Sequence, residues 1–133
     1  KFRSMKKNVP MIATHLLEQP ESKVTVVGKV LRKYSLDELP QIISLFQGNM
    51  TIVGPRPALF NQYDLIKLRE EKNIHTILPG ITGLAQINGR DNISLKDKVG
   101  YDYVYLVNKS FFYDLKIIFL TIFKIIKSKD ISH

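Results

Sequence analysis

The stretch from Phe111 to Ser128 has to be accommodated before anything else in this chain. At helical spacing, Asp114, Thr121, Lys124 and Lys127 fall on a narrow stripe, while Phe112, Leu115, Ile118, Phe119, Ile122, Phe123, Ile125 and Ile126 cover most of the remaining circumference. Ser110 stands where such a helix needs its N-cap. A helix this apolar has two stable solutions: burial beneath the rest of a domain, or a place in a membrane interface with its lysines directed to headgroups. Both stay open on the sequence. No run of about 20 uninterrupted apolar residues occurs, so nothing here reads as a helix that clearly crosses a bilayer.

The remaining pattern is that of a small mixed domain. A length of 133 residues predicts one globular unit with a modest core. Leu39, Ile42, Ile43 and Phe46 recur as one buried helical face, with Gly48 at the C-terminal cap. If Ser35 caps that helix, Pro40 falls at its fifth position and crowds the Leu36 carbonyl, which predicts an irregular first turn. The β-branched run Lys23 to Gly28 suits a short strand or extended lead-in, and Met50 to Val53 a second short strand. Gly54-Pro55-Arg56-Pro57 forces a turn, after which Pro57 can open a helix running toward Lys72. Leu78 to Arg90 carries Pro79, Gly80, Gly83 and Gly89 and reads as a structured loop with exposed backbone. Ser94 and Asp97 resemble a helix-opening cap, with a helix toward Leu106. The first 22 residues, broken by Pro10 and Pro20, read as loop with a short helix around Ile12 to Leu17.

Composition narrows the chemistry. The chain has no cysteine, which excludes disulfides, thiolate metal sites and, effectively, structural zinc. A net charge of +8 predicts an anionic partner: nucleic acid, anionic lipid or a phosphorylated substrate. Basic residues dominate before Tyr34, and Lys116, Lys124, Lys127 and Lys129 form a second cluster. No signal peptide is visible, and the opening Lys1-Phe2-Arg3 reads as that of a fragment or processed piece.

Asp37 and Glu38 are the most suggestive pair. They lie close behind Arg32, at the start of the mid-chain helix, where free backbone N–H groups favour negative charge. Side by side they could serve as a carboxylate nucleophile and a metal ligand, or they could simply complete a capping box with Ser35. Arg56 sits on a backbone stiffened by Pro55 and Pro57, a good mount for a guanidinium that grips phosphate, though also a plain turn with a solvated arginine. Arg90, after Asn88-Gly89, admits the same two readings, with the glycine-rich loop before it able to offer N–H groups to an anion. His15, His75 and His133 lack the spacing of a metal site. Tyr101, Tyr103, Tyr105 and Tyr113 suit a core or interface better than base stacking.

Taken in order, these segments resemble the monotopic bacterial phosphoglycosyl transferases, which transfer sugar phosphates to undecaprenyl phosphate. The resemblance is carried by Lys1-Phe2-Arg3-Ser4-Met5, by Leu31-Arg32 leading to Ser35-Leu36-Asp37-Glu38-Leu39-Pro40-Gln41, by Val53-Gly54-Pro55-Arg56-Pro57, by Pro79-Gly80-Ile81-Thr82-Gly83 and by Gln86-Ile87-Asn88-Gly89-Arg90. Asp102 with Tyr103-Val104-Tyr105, and Asp114-Leu115-Lys116-Ile117-Ile118, extend it over nearly the whole chain.

The resemblance implies that Asp37 attacks the sugar-linked phosphate of a UDP-sugar and releases UMP, and that a polyprenyl phosphate then takes the phosphosugar. It implies that Glu38 binds Mg²⁺, that Arg32 and Arg56 neutralise phosphate oxygens, and that Pro55, Pro57, Asn88, Gly89 and Arg90 lie at the substrate. The implied fold is a helix-dominated α+β domain, small, monotopic and membrane-associated, with amphipathic interfacial helices and few short strands. The implied place is the cytoplasmic face of the bacterial inner membrane, with no nucleic acid as partner. Two departures stand out: these 133 residues do not include the re-entrant membrane helix that the family places ahead of the Lys1-Phe2-Arg3 segment, and Leu84 stands where the family often has tryptophan. The rival readings are a non-catalytic basic domain on a membrane surface and a nucleic-acid-binding domain.

Overall fold

The structure is a computed structural model that describes residues 2–7, 9, 20–33, 36–89 and 93–130. The expected helix at Ile12 to Leu17, together with Ser35, Arg90, His15 and His133, lies outside the described residues. The chain divides into two compact units, Lys1–Asn49 and Met50–His133. Among the described residues helices dominate, with one short two-stranded sheet in the second unit.

In the first unit, helix α1 (Val26–Lys33) follows a 3-10 turn at Pro20–Lys23, and a second 3-10 turn, Leu36–Glu38, precedes helix α2 (Pro40–Phe46). The predicted strand at Lys23 to Gly28 is therefore mostly helix. Only Val24 keeps an extended pairing, an antiparallel bridge with Met5. The reason is local: the Thr25 hydroxyl accepts from Gly28 N at 2.9 Å and the Thr25 carbonyl from Lys29 N, a side-chain N-cap. Such a cap is worth about 1 kcal/mol, enough to offset the few tenths by which each valine disfavours helix. Gly28 lies against the N-terminal segment so closely that a Cβ there would strike the Ser4 carbonyl.

Helix α2 forms where the sequence places it, and its first turn is irregular as Pro40 predicts: the chain makes the 3-10 turn first, and Pro40 becomes the first α-helical residue. Its end is a Schellman motif, with Gly48 N on the Leu45 carbonyl, Asn49 N on the Ser44 carbonyl, and Gly48 at φ +74°. The burial expected for this helix is not found. Leu39, Ile42, Ile43 and Phe46 are all exposed, Phe46 to 87%.

The second unit is built around a β-α-β crossover: strand β1 (Thr51–Val53), helix α3 (Tyr63–Glu71), a 3-10 turn at Ile74–Thr76, and strand β2 (Gly80–Thr82) parallel to β1, with Thr51 opposite Gly80 and Val53 opposite Thr82. Helix α3 begins at Tyr63 rather than Pro57, because residues 55–59 form no regular element and the chain turns at Phe60 and Asn61 before the helix starts. The segment read as a loop from Leu78 to Arg90 instead supplies β2 and helix α4 (Leu84–Ile87). Its glycines serve close packing: a Cβ on Gly80 or Gly83 would collide with the backbone of Gly54.

Helix α5 (Leu95–Asn108) opens on the expected cap, Ser94 Oγ accepting from Asp97 N at 3.1 Å and donating to the Asp97 carboxylate at 2.6 Å. Helix α6 (Phe111–Asp130) completes the unit, with Tyr113 N on Ser110 Oγ. Val53, Tyr105 and Ile117 form one buried cluster, ringed by Ile77, Leu84, Ile87, Tyr113 and Ile118; Leu65, Ile74 and Val99 form another. Tyr105 joins three elements, its hydroxyl meeting the Val53 carbonyl at 3.0 Å and Asp114 Oδ1 at 2.8 Å. Burial, then the Asp114 carboxylate, pushes its phenol above the ordinary range.

Helix α6 packs on the unit with the Asp114 and Thr121 part of its polar stripe, while Lys124 and Lys127 stay exposed. Thr121 Oγ1 lies 2.8 Å from Thr82 Oγ1, Lys124 Nζ donates to the Ile87 carbonyl at 2.8 Å, and Ile117, one turn before Thr121, is buried. Phe111, Phe112, Leu115, Phe119, Ile122, Phe123, Ile125 and Ile126 remain exposed, Phe119 to 70%. The apolar face is thus not beneath the domain, and Lys124 serves the protein rather than pointing away from it. Among the described residues no helix is long and apolar enough to cross a membrane.

Candidate active site

The first unit holds Asp37, Glu38 and Arg32. The 3-10 turn puts both carboxyl groups on consecutive residues just ahead of α2, and α1, which carries Arg32, packs against that turn. Asp37 is buried to 3% exposure and Glu38 is half-buried. The N-terminal segment fixes this neighbourhood from the other side: Phe2 N donates to the Asp37 carbonyl at 2.8 Å, and the buried Ser4 hydroxyl accepts from Arg32 Nε at 2.8 Å. The Ser4 carbonyl in turn accepts from Thr25 N and Thr25 Oγ1. The bond at Nε holds one edge of the Arg32 guanidinium, a group whose planar set of N–H donors suits a phosphate.

A buried acid beside a half-buried one is also a reasonable cradle for a hard divalent cation. Mg²⁺ keeps several waters and takes only one or two protein carboxylates when phosphate oxygens complete its shell. No group of three or more His, Cys, Asp or Glu able to hold a metal occurs among the described residues.

The second unit holds Pro55, Arg56 and Pro57. The Pro55 carbonyl accepts from Gly80 N at 2.9 Å, and the Arg56 carbonyl accepts from Arg69 Nη1 at 2.8 Å, so the peptides on both sides of the Arg56 side chain are tied down. Beside them opens a cleft of about 350 Å³, lined among others by Pro55, Pro57, Arg69, Glu70, His75 and Pro79. Arg69 is the residue that sequence reasoning did not single out. On α3 it is buried and bonds one oxygen of Asp102 on α5 through both Nε, at 3.0 Å, and Nη2, at 2.6 Å. Burial pushes the Asp102 carboxyl above its usual range, and the Arg69 guanidinium opposes that shift.

Arg56, Asn88 and Gly89 are not among the residues lining the cleft. The Asn88 side chain returns to the Leu84 carbonyl at 2.8 Å and closes α4, while Gly89 adopts φ +152°. His75 is exposed at the cleft, and Tyr105 is a core residue stacked on Tyr113 with ring centroids 6.2 Å apart.

The family described as bacterial sugar transferase matches residues 1–128. The chain belongs to this family. Among relatives, it is 44% identical over 112 residues to the uncharacterized sugar transferase EpsL of Bacillus subtilis, covering 84% of this chain and 55% of that protein. It is 46% identical over 104 residues to the exopolysaccharide production protein ExoY of Sinorhizobium fredii, covering 78% and 46%. It is 44% identical over 131 residues to the UDP-glucose:undecaprenyl-phosphate glucose-1-phosphate transferase of Escherichia coli, covering 93% of this chain and 28% of that enzyme. The chain therefore spans about half the length of the first two and less of the third. Membership extends over both units and takes in every site residue named above.

Proposed function

We propose that this chain carries the catalytic residues of a phosphoglycosyl transferase that moves a phosphosugar from a UDP-sugar to polyprenyl phosphate. The observation that carries the reading is the Asp37–Glu38 pair, held on one 3-10 turn with Asp37 buried, in a chain of this family. Relatives named for undecaprenyl-phosphate transfer of glucose 1-phosphate and of N-acetylgalactosamine phosphate support the reaction class.

An oxygen of Asp37 attacks the sugar-linked phosphorus. The bond from that phosphorus to the bridging oxygen breaks, and UMP leaves with the electron pair. The aspartyl phosphosugar is then attacked at the same phosphorus by an oxygen of polyprenyl phosphate, which restores the carboxylate and leaves a lipid diphosphosugar. Burial strips water from Asp37 and favours an acyl phosphate that persists until the acceptor arrives. Glu38 holds Mg²⁺, which when bound supplies charge neutralisation on the diphosphate. Arg32 and Arg56 bind phosphate oxygens.

The outward apolar faces of α2 and α6 support a position on a membrane surface, at the cytoplasmic face of the bacterial cell membrane, where a soluble nucleotide sugar and a lipid-bound acceptor can both be reached.

The test is intact mass and UMP release, measured on the full chain with Mg²⁺ and a panel of UDP-sugars but no acceptor. One phosphosugar adduct and its UMP are expected with wild type and neither with Asp37→Asn. An adduct that survives Asp37→Asn would remove Asp37 as nucleophile, and the absence of UMP with every donor, acceptor included, would overturn the transferase reading.

A further inference from the structure

Arg56 is mounted between two prolines, which narrow the torsions available to it and its neighbours, and the peptides on either side are then fixed in place by hydrogen bonds. The Pro55 carbonyl is held by Gly80 N of β2 at 2.9 Å. The Arg56 carbonyl, part of an amide whose nitrogen belongs to Pro57, is held by Arg69 Nη1 at 2.8 Å. Arg69 is not free to follow the loop, because its Nε and Nη2 grip one Asp102 oxygen at 3.0 and 2.6 Å, and both side chains are buried. All three guanidinium nitrogens are thus committed, two to a carboxylate on α5 and one to the loop.

We propose that Arg69, locked by Asp102, is a positioning residue that sets the aim of Arg56. The inference rests on the reading of Arg56 as a phosphate-binding residue. A buried ion pair alone is weak support for any role beyond stability. What separates this one is the third bond, spent on the carbonyl of the residue assigned to phosphate rather than on the packing of α3 against α5. A lysine at position 69 would keep the charge opposite Asp102, but it is a point charge on a flexible stem and lacks the planar fork that reaches both partners at once.

The experiment is a double-mutant cycle on the full chain in membrane vesicles, reading UMP release and kcat against KM for wild type, Arg69→Lys, Arg56→Ala and the pair together, with melting temperature as the check on folding. Arg69→Lys is expected to lower kcat by about tenfold to a hundredfold, the cost of misplacing a catalytic group by about 1 Å. That loss should vanish in the Arg56→Ala background, where there is nothing left to aim. Replacing the whole pair by Arg69→Met with Asp102→Leu removes both buried charges, keeps a packed interior and should show the same loss with the same dependence on Arg56. Losses that multiply in the double variant, or full turnover in either Arg69 variant, would overturn the positioning role while leaving Arg56 in place. Wild-type turnover by Arg56→Ala would instead overturn the reading of Arg56 itself, and this inference with it.

Discussion

At the scale of single residues, the candidate site is a matter of how backbone and side-chain donors are allocated. Ser4 offers a test that involves no charge change. Its buried hydroxyl accepts from Arg32 Nε, and its carbonyl holds Thr25, so one residue links the N-terminal segment to the helix bearing the arginine. Ser4→Ala should cost about 1 kcal/mol of stability for the lost bond and lower turnover more than that loss of folded protein accounts for, whereas Ser4→Thr, which keeps the hydroxyl, should recover most of it. Equal turnover by the alanine variant at a temperature where it is fully folded would show that Arg32 needs no such anchor. Much of this was legible in the sequence. Asp37-Glu38 and the Pro-Arg-Pro mount announce themselves as local patterns, and Pro40 correctly signals that the carboxylates sit on an irregular turn. Arg69 announces nothing, because its meaning lies in a partner 33 residues away and in a carbonyl 13 residues back. No local periodicity encodes either distance.

At the scale of elements, the errors share a cause. Thr25-Val26-Val27 has the composition of a strand and folds as a capped helix turn, and Gly80 and Gly83 have the composition of a loop and serve a strand and a helix start. The Thr25 cap decides the first locally, with Gly28 packed on the Ser4 carbonyl, and contact with the Gly54 backbone decides the second, where propensity leaves the outcome nearly balanced. The capped helices, by contrast, begin and end where Ser94, Ser110 and Gly48 place them. Tyr105 measures how strongly α5, β1 and α6 depend on one hydroxyl. Tyr105→Phe strands the Val53 carbonyl and the Asp114 carboxylate, which should lower stability by about 1–3 kcal/mol in denaturant titration. Because the folded phenol is raised above the ordinary value of 10.0, its contribution is complete below that pH and falls as pH rises past it. The phenylalanine variant should lack that part of the alkaline loss.

At the scale of the whole molecule, two properties have to be satisfied by the same surroundings: a net charge of +8 and apolar faces on α2 and α6 left open to solvent. Nucleic acid answers the first and ignores the second, while an anionic lipid surface answers both. The two partners respond differently to salt. Screening shortens to about 3 Å at 1 M, which removes most long-range attraction between exposed charges but leaves apolar burial intact. Binding of residues 1–133 to vesicles containing anionic lipid should therefore weaken as salt rises and level off at a residual fraction, and binding to neutral vesicles should match that residue. Phe119→Asp with Phe123→Asp, both on the outward face of α6 and 70% and 60% exposed, should abolish the residual fraction while the melting temperature holds. Flotation of vesicles through a density gradient reads both arms. Complete release by salt in the wild type would mean that charge alone accounts for the association, and α6 would then need another partner for its open face.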